Sequence, residues 1–250
     1  MKELILTLLT LHAISLHLHA QTMVAGASLQ NAIDEISRLA PPGGVSTSKN
    51  ATFVNYRVNP EDTKGSSLLF ASWPKGYVLS AADTVLNNER LFLNFDKMTH
   101  VLYFTFDGKT IVKAETSQAR EIHFIDSGNH LTLVRAGGLD PQKFYQRLSD
   151  SAGNNHYGLY KEITTTFHPA DYKSNGITST GNNYDEFIDS YEYYLILPGG
   201  KGYTSLKLKK KAIREALASA APKVDDYLSR HGKDEINEAF LVGLVNQLNN

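Results

Sequence analysis

Leu91-Phe92-Leu93-Asn94-Phe95-Asp96-Lys97, followed two residues on by Thr99-His100-Val101-Leu102-Tyr103-Phe104-Thr105-Phe106-Asp107-Gly108, decides how this chain folds. In an extended backbone successive side chains point to opposite faces. Leu91, Leu93 and Phe95 then share one face, with Phe92 and Asn94 on the other. In the next segment Val101, Tyr103 and Thr105 stand against Leu102, Phe104 and Phe106. Asp96-Lys97 and Asp107-Gly108 have the composition of hairpin turns. Working outward, the same alternation covers Leu68–Ala71, Tyr77–Ser80, Glu89–Phe95, Thr99–Phe106, Thr110–Ala114, Glu121–Ile125 and Leu131–Arg135. Trp73-Pro74-Lys75-Gly76 and Ser127-Gly128-Asn129 read as further breaks. The pattern predicts an antiparallel meander. Because apolar residues occupy both faces, the sheet is expected to be covered twice, curled into a barrel-like form or sandwiched.

On the N-terminal side, Leu29, Ala32, Ile33, Ile36 and Leu39 recur at helical spacing through Ser28–Ala40, and Pro41-Pro42-Gly43-Gly44 ends that helix. A Ser, Thr, Asn and Gly linker reaches Asn50, and Ala51–Val58 alternates as a strand. On the C-terminal side, Phe144–Leu148 and Tyr157–Thr166 are expected to form a hairpin around the polar loop Ser149–Asn155, a helix after Asp140-Pro141 being the alternative. Asp171–Asn183 is polar, Tyr184–Leu197 resumes strand character, and Pro198-Gly199-Gly200-Lys201-Gly202 turns it into Tyr203–Leu208. From Lys209 the period becomes helical. Ile213, Ala216, Leu217 and Ala220 form one stripe, Val224, Tyr227 and Leu228 a second, and Asp234–Leu248 the third and cleanest. The expected organisation is an export signal over 1–20, a helix and linker over 21–50, an antiparallel β domain over 51–208, and a helical segment over 209–250 packed on that domain. The fold class is mainly β, with one N-terminal helix and about three C-terminal ones.

The address comes from the first twenty residues. Met1-Lys2 opens them, Leu4–Leu18 is an almost continuous run of Leu, Ile, Thr and His, and Leu18-His19-Ala20 precedes Gln21 as a cleavage site. His12, His17 and His19 and the shortness of the run argue for a cleaved signal over a bilayer span. No cysteine is present, which excludes both the acylated anchor of a lipoprotein and disulfide stapling. The mature product is therefore expected to be periplasmic or secreted, without a stable membrane span. Charged residues at 20% and a net charge of −1 describe an ordinary globule with no bulk attraction to nucleic acid.

Four stretches carry a family resemblance: Trp73-Pro74-Lys75-Gly76 ahead of a strand; Leu91–Asp96 leading into Val101–Phe104; Phe187-Ile188-Asp189-Ser190-Tyr191-Glu192-Tyr193-Tyr194-Leu195; and the lysine-rich helix start at Lys207–Leu217. Over roughly Leu68 to Asn249 the chain resembles a family of uncharacterised exported proteins of Gram-negative, Bacteroidota-type bacteria. That family has no assigned activity, so the resemblance implies a shared fold and an envelope address, and no reaction.

No nucleophile elbow, His-Glu-x-x-His, phosphate loop, dinucleotide fingerprint or calcium loop occurs in the sequence. Beyond residue 20 the histidines are His100, His123, His130, His156, His168 and His231; His123 and His130 flank a turn and read as a surface pair. No catalytic set, metal site or cofactor is assigned. Tyr184–Tyr194 mixes aromatic planes with carboxylates and is the most chemically loaded stretch. Asp189, Tyr191 and Tyr193 share one face of that strand and, with Trp73, form the candidate ligand-binding set. Lys207, Lys209, Lys210, Lys211 and Arg214 place cations at a helix start, against its macrodipole, where an anionic envelope partner would suit them. The sequence is read as a non-enzymatic binding or structural protein of the envelope, whose partner is an envelope component or another protein. The alternative is a glycan-directed hydrolase drawing its acid and base from Asp185, Glu186, Asp189 and Glu192.

Overall fold

The computed structural model describes residues 52–53, 63–114, 116–149, 155–174 and 177–250. In chain order the strands are β1 (Thr52–Phe53), β2 (Thr63–Lys64), β3 (Lys75–Ser80), β4 (Val85–Leu86), β5 (Phe92–Asp96), β6 (Val101–Thr105), β7 (Val112–Lys113) and β8 (Ala119–Asp126), then β9 (Asn129–Val134), β10 (Tyr145–Arg147), β11 (Gly158–His168), β12 (Lys173–Ser174), β13 (Ser179–Thr180), β14 (Asp185–Ile196) and β15 (Tyr203–Leu206). Helices α1 (Lys210–Ala216), α2 (Ala221–Arg230) and α3 (Glu238–Asn249) follow. The chain is thus mainly β, with three helices among the described residues. The helix predicted over Ser28–Ala40 and its linker lie outside those residues. None of the described helices is long and apolar enough to cross a membrane.

The described residues divide into two units. The first holds Thr52–Phe53, 70–96 and 101–129, with strand order β1-β7-β6-β5-β3-β8, antiparallel throughout, and β4 against β3. The pattern that puts apolar residues on both faces of β5 has the consequence expected of it: Leu93, Asn94, Phe95 and Asp96 are all buried. The predicted barrel closure does not occur. The strand order has two ends, and a ring would need end strands that pair at a consistent stagger, which the two-residue β1 does not supply.

Two local predictions change for identifiable reasons. Leu68–Ala71 is not a strand, because a side chain has taken over the backbone bonding there. Asn94 Nδ2 donates to the carbonyls of Phe70 (2.8 Å) and Ser72 (3.0 Å), and its Oδ1 accepts from the Phe70 amide (3.1 Å). Lys75 and Gly76, read as part of a turn, instead open β3. A Cβ at Gly76 would collide with the His123 carbonyl oxygen and lie 2.9 Å from Leu93 Cδ1, so the glycine marks a close approach of backbones. His123 is not a surface partner of His130 either. It is buried, its ring stacked on Tyr77 at 4.3 Å with Nε2 3.1 Å from Glu121, whereas His130 is exposed.

The second unit holds 63–69, 97–100 and 130–250. Its strands run β9-β10-β11-β14-β15, antiparallel, and β2 joins the start of β14 in parallel, Thr63 opposite Asp185 and Lys64 opposite Glu186. The sheet is therefore mixed where only antiparallel pairs were predicted. β12 and β13 form a separate small hairpin within the polar stretch. One face of the sheet presents Leu159, Tyr193, Leu195 and Leu206, and the helices close over it with Ile213, Val224, Leu228, Leu241, Leu244 and Val245. Each such aliphatic side chain stabilises the fold by roughly 1.5–3 kcal/mol through burial. The reverse face carries Val134, Tyr145 and Tyr160, with Tyr194 and Ile196 packed on them. α3 starts at Glu238 and not at Asp234, because Asn237 caps it by accepting from the Phe240 amide at 3.1 Å. Its far end is tied down where the Asn249 side chain exchanges two hydrogen bonds with the Tyr157 backbone, at 2.7 and 2.9 Å.

Candidate functional site

Alternation along β14 places Asp185, Phe187, Asp189, Tyr191, Tyr193 and Leu195 on the face that the helices cover at one end, and Glu186, Ile188, Ser190, Glu192, Tyr194 and Ile196 on the other. Opposite the first set on β11 stand Phe167 (facing Phe187), Thr165 (Asp189), Ile163 (Tyr191) and Lys161 (Tyr193). The sheet continues past the helices. Tyr193 is 6% exposed while Tyr191, two residues earlier, is 52% exposed.

Tyr193 belongs to the core. Its hydroxyl donates to Glu238 Oε2 at 3.2 Å, and the Lys161 ammonium sits 2.7 Å from the same oxygen. Burial, reinforced by the Glu238 carboxylate, pushes the Tyr193 phenol up to about 12. The Lys161 ammonium also lies 5.2 Å from the centroid of the Tyr191 ring, within cation–π range. Partial burial and the nearby Asp189 carboxylate raise the Tyr191 phenol above its ordinary value, so both hydroxyls stay protonated at neutral pH.

Asp189 is an anchor. Both of its oxygens meet the buried Lys97 ammonium, at 2.8 and 2.7 Å, and Thr165 Oγ1 donates to one of them at 2.6 Å. Lys97 read locally as a turn residue; no short-range signal points to a partner ninety-two positions away. Beyond Asp189 the Phe167 and Phe187 rings meet at 4.9 Å, with Phe167 partly exposed. The resulting surface is a stripe of Tyr191, the Lys97–Asp189 pair and two phenylalanines, each fixed by a neighbour on the next strand. Trp73, the fourth member of the candidate set, belongs to the first unit, where it is half-buried two residues before β3.

The four carboxylates considered for hydrolysis do not converge. Asp185 and Asp189 share a face at a spacing of about 13 Å along the strand, and Glu186 and Glu192 lie on the opposite face about 20 Å apart. Asp185 accepts from the Ala170 amide at 2.8 Å. Sequence reasoning missed Glu162 of β11, which the register sets directly opposite Glu192. The Tyr194 hydroxyl lies 2.7 Å from Glu192 Oε2 and 3.1 Å from Glu162 Oε2, and Lys143 Nζ holds the other oxygen of Glu162 at 2.6 Å. One hydroxyl has one proton, so it serves only one of the two carboxylates at a time. Burial, then the Glu192 hydrogen bond, drives the Tyr194 phenol far above its ordinary range; the Glu162 hydrogen bond raises the Lys143 ammonium. The arrangement is a pair of facing carboxylates with a shared hydroxyl and a counter-cation. Only the knowledge that β11 and β14 pair in this register would have revealed it.

Among the described residues, no three His, Asp or Glu side chains gather in a metal-holding group. No protein-family model, no curated protein and no solved structure matches this chain.

Proposed function

We propose that this protein is an exported, non-enzymatic binding or structural protein of the bacterial envelope, which engages an envelope component or protein partner through the uncovered part of β14 around Tyr191. The observation that carries the reading is the change in exposure along one face of one strand, from a buried Tyr193 to a Tyr191 at 52%. An aromatic ring held out of the core but flanked by Lys161 and by the Lys97–Asp189 pair loses little freedom on binding. The expected leader over 1–20, the absence of cysteine and the resemblance to exported proteins support the compartment. In the intact chain, Tyr191→Ala should cut retention on isolated envelope material by about tenfold, the loss typical of an aromatic anchor, without lowering the melting temperature. Full retention by that variant would remove the basis for this surface.

A second reading, hydrolysis of a glycan, is favoured by the facing Glu162 and Glu192. Their Oε2 atoms are at most about 5.8 Å apart, the sum of the two Tyr194 contacts at 2.7 and 3.1 Å, a bound that is below the spacing of inverting glycosidases and admits that of retaining ones. It predicts release of reducing sugar from envelope polysaccharide that Glu192→Gln abolishes. Release that is absent, or unchanged in that variant, excludes it.

A further inference from the structure

Six cations and no carboxylate fall between Pro198 and Arg214: Lys201, Lys207, Lys209, Lys210, Lys211 and Arg214, in a chain whose net charge is −1. The structure separates them by role. Arg214 is committed to Asp225 at 2.7 Å, and Lys210 donates to the Gly232 carbonyl at 2.7 Å. Lys207, Lys209 and Lys211 are exposed; among the described residues Lys211 makes only a 3.9 Å contact with Glu215, and the Lys207 and Lys209 ammonium groups meet no carboxylate. They stand where β15, the last strand of the second unit's sheet, passes into α1 through the extended Lys209. The first turn of α1 holds no acidic residue and its cap no side-chain bond, so the local helix chemistry does not account for cations here. Between two of these lysines Leu208 is 39% exposed. A lipid interface accepts such a side chain.

We infer that this lysine-flanked junction is a docking surface for an anionic bilayer, with Lys207, Lys209 and Lys211 meeting lipid phosphates and Leu208 entering the interface. Charge complementarity selects the partner's sign, and the apolar side chain interleaved with the lysines selects a bilayer over a nucleic acid, which would offer bases for stacking but no hydrocarbon for Leu208. The inference deepens the envelope reading by naming a membrane surface, and relies on it only for the compartment. The residues involved are separate from the Tyr191 stripe, so each can fail alone.

The test is sedimentation of the full chain with vesicles of equal parts phosphatidylglycerol and phosphatidylcholine, and with phosphatidylcholine alone. Binding should require the anionic lipid and weaken as salt rises. Each of Lys207→Gln, Lys209→Gln and Lys211→Gln should lower partitioning about fivefold, and the triple variant about a hundredfold. Leu208→Ser should weaken binding without changing its salt dependence. A triple variant at the exposed Lys75, Lys109 and Lys113 of the first unit carries the same net charge and should bind like the parent. Absence of binding, equal loss in both triple variants, or equal affinity for single-stranded DNA overturns the inference. Tyr191→Ala, which tests the other surface, should leave vesicle binding intact.

Discussion

β5 and β14 are written in the same alphabet, apolar and aromatic side chains alternating with carboxylates and amides, yet one is interior from Leu93 onward and the other changes character along its length. In β5 every position from Leu93 to Asp96 is buried, and the polar Asn94 is there because it bonds the backbone of a neighbouring segment. In β14 burial of the helix-facing side begins only at Tyr193, where the helices reach it; towards Asp185 the same face is left to the exposed Tyr191 ring, the Lys97–Asp189 pair and two phenylalanines. The contrast teaches that period-two patterning specifies which residues share a face, while covering elements elsewhere decide whether that face is core or surface.

The sharpest way to break the contrast is at Asn94. Asn94→Ala takes the side-chain partner from the half-buried Phe70 amide and carbonyl, whereas the exposed Ser72 carbonyl can turn to water, and a buried unsatisfied group costs about 1–3 kcal/mol. Denaturant unfolding should show a loss of about 2–4 kcal/mol; a loss under about 1 kcal/mol would mean that this segment is not held by the amide. Asp189→Ala should come next. It leaves the buried Lys97 ammonium without its partner, but Asp189 is itself partly exposed, which reduces the penalty to about 2–3 kcal/mol. An unaltered unfolding midpoint would contradict the anchoring role.

A smaller effect appears in alkali. The Tyr193 phenol is raised to about 12 in the folded chain from an ordinary value of 10.0, so the folded state favours the neutral form. Its contribution is fully present below pH 10 and is lost as pH climbs towards 12, because the unfolded chain gives up its proton first. Tyr193→Phe should flatten that part of the stability profile, and an unchanged slope would refute the assignment. The smallest effect is expected at Tyr191, where replacement by Ala should move stability by less than about 0.5 kcal/mol, in keeping with a ring that serves the surface.

Much of this was legible beforehand. Alternation located β3, β5, β6, β7 and β8 of the first unit, though not β4, and put Asp189, Tyr191 and Tyr193 on one face, and helical spacing located the three C-terminal helices. What the sequence withheld was long-range. Asn94 captures Phe70 from twenty-four positions away, so Leu68–Ala71 carried strand composition without forming a continuous strand. Glu162 and Lys97 gain their meaning from register and from the turn that delivers an ammonium to Asp189. The separation of Tyr191 from Tyr193 depends on where α3 ends up, which neither tyrosine's neighbours encode.

Tyrosine nitration mapped by mass spectrometry, on the intact protein alone and bound to isolated envelope material, addresses the two-part character of β14 most directly. The free protein should be modified at Tyr191 and spared at Tyr193, and envelope material should protect Tyr191. Equal modification of both residues, or a Tyr191 that reacts as readily in the bound sample as in the free one, would contradict the account.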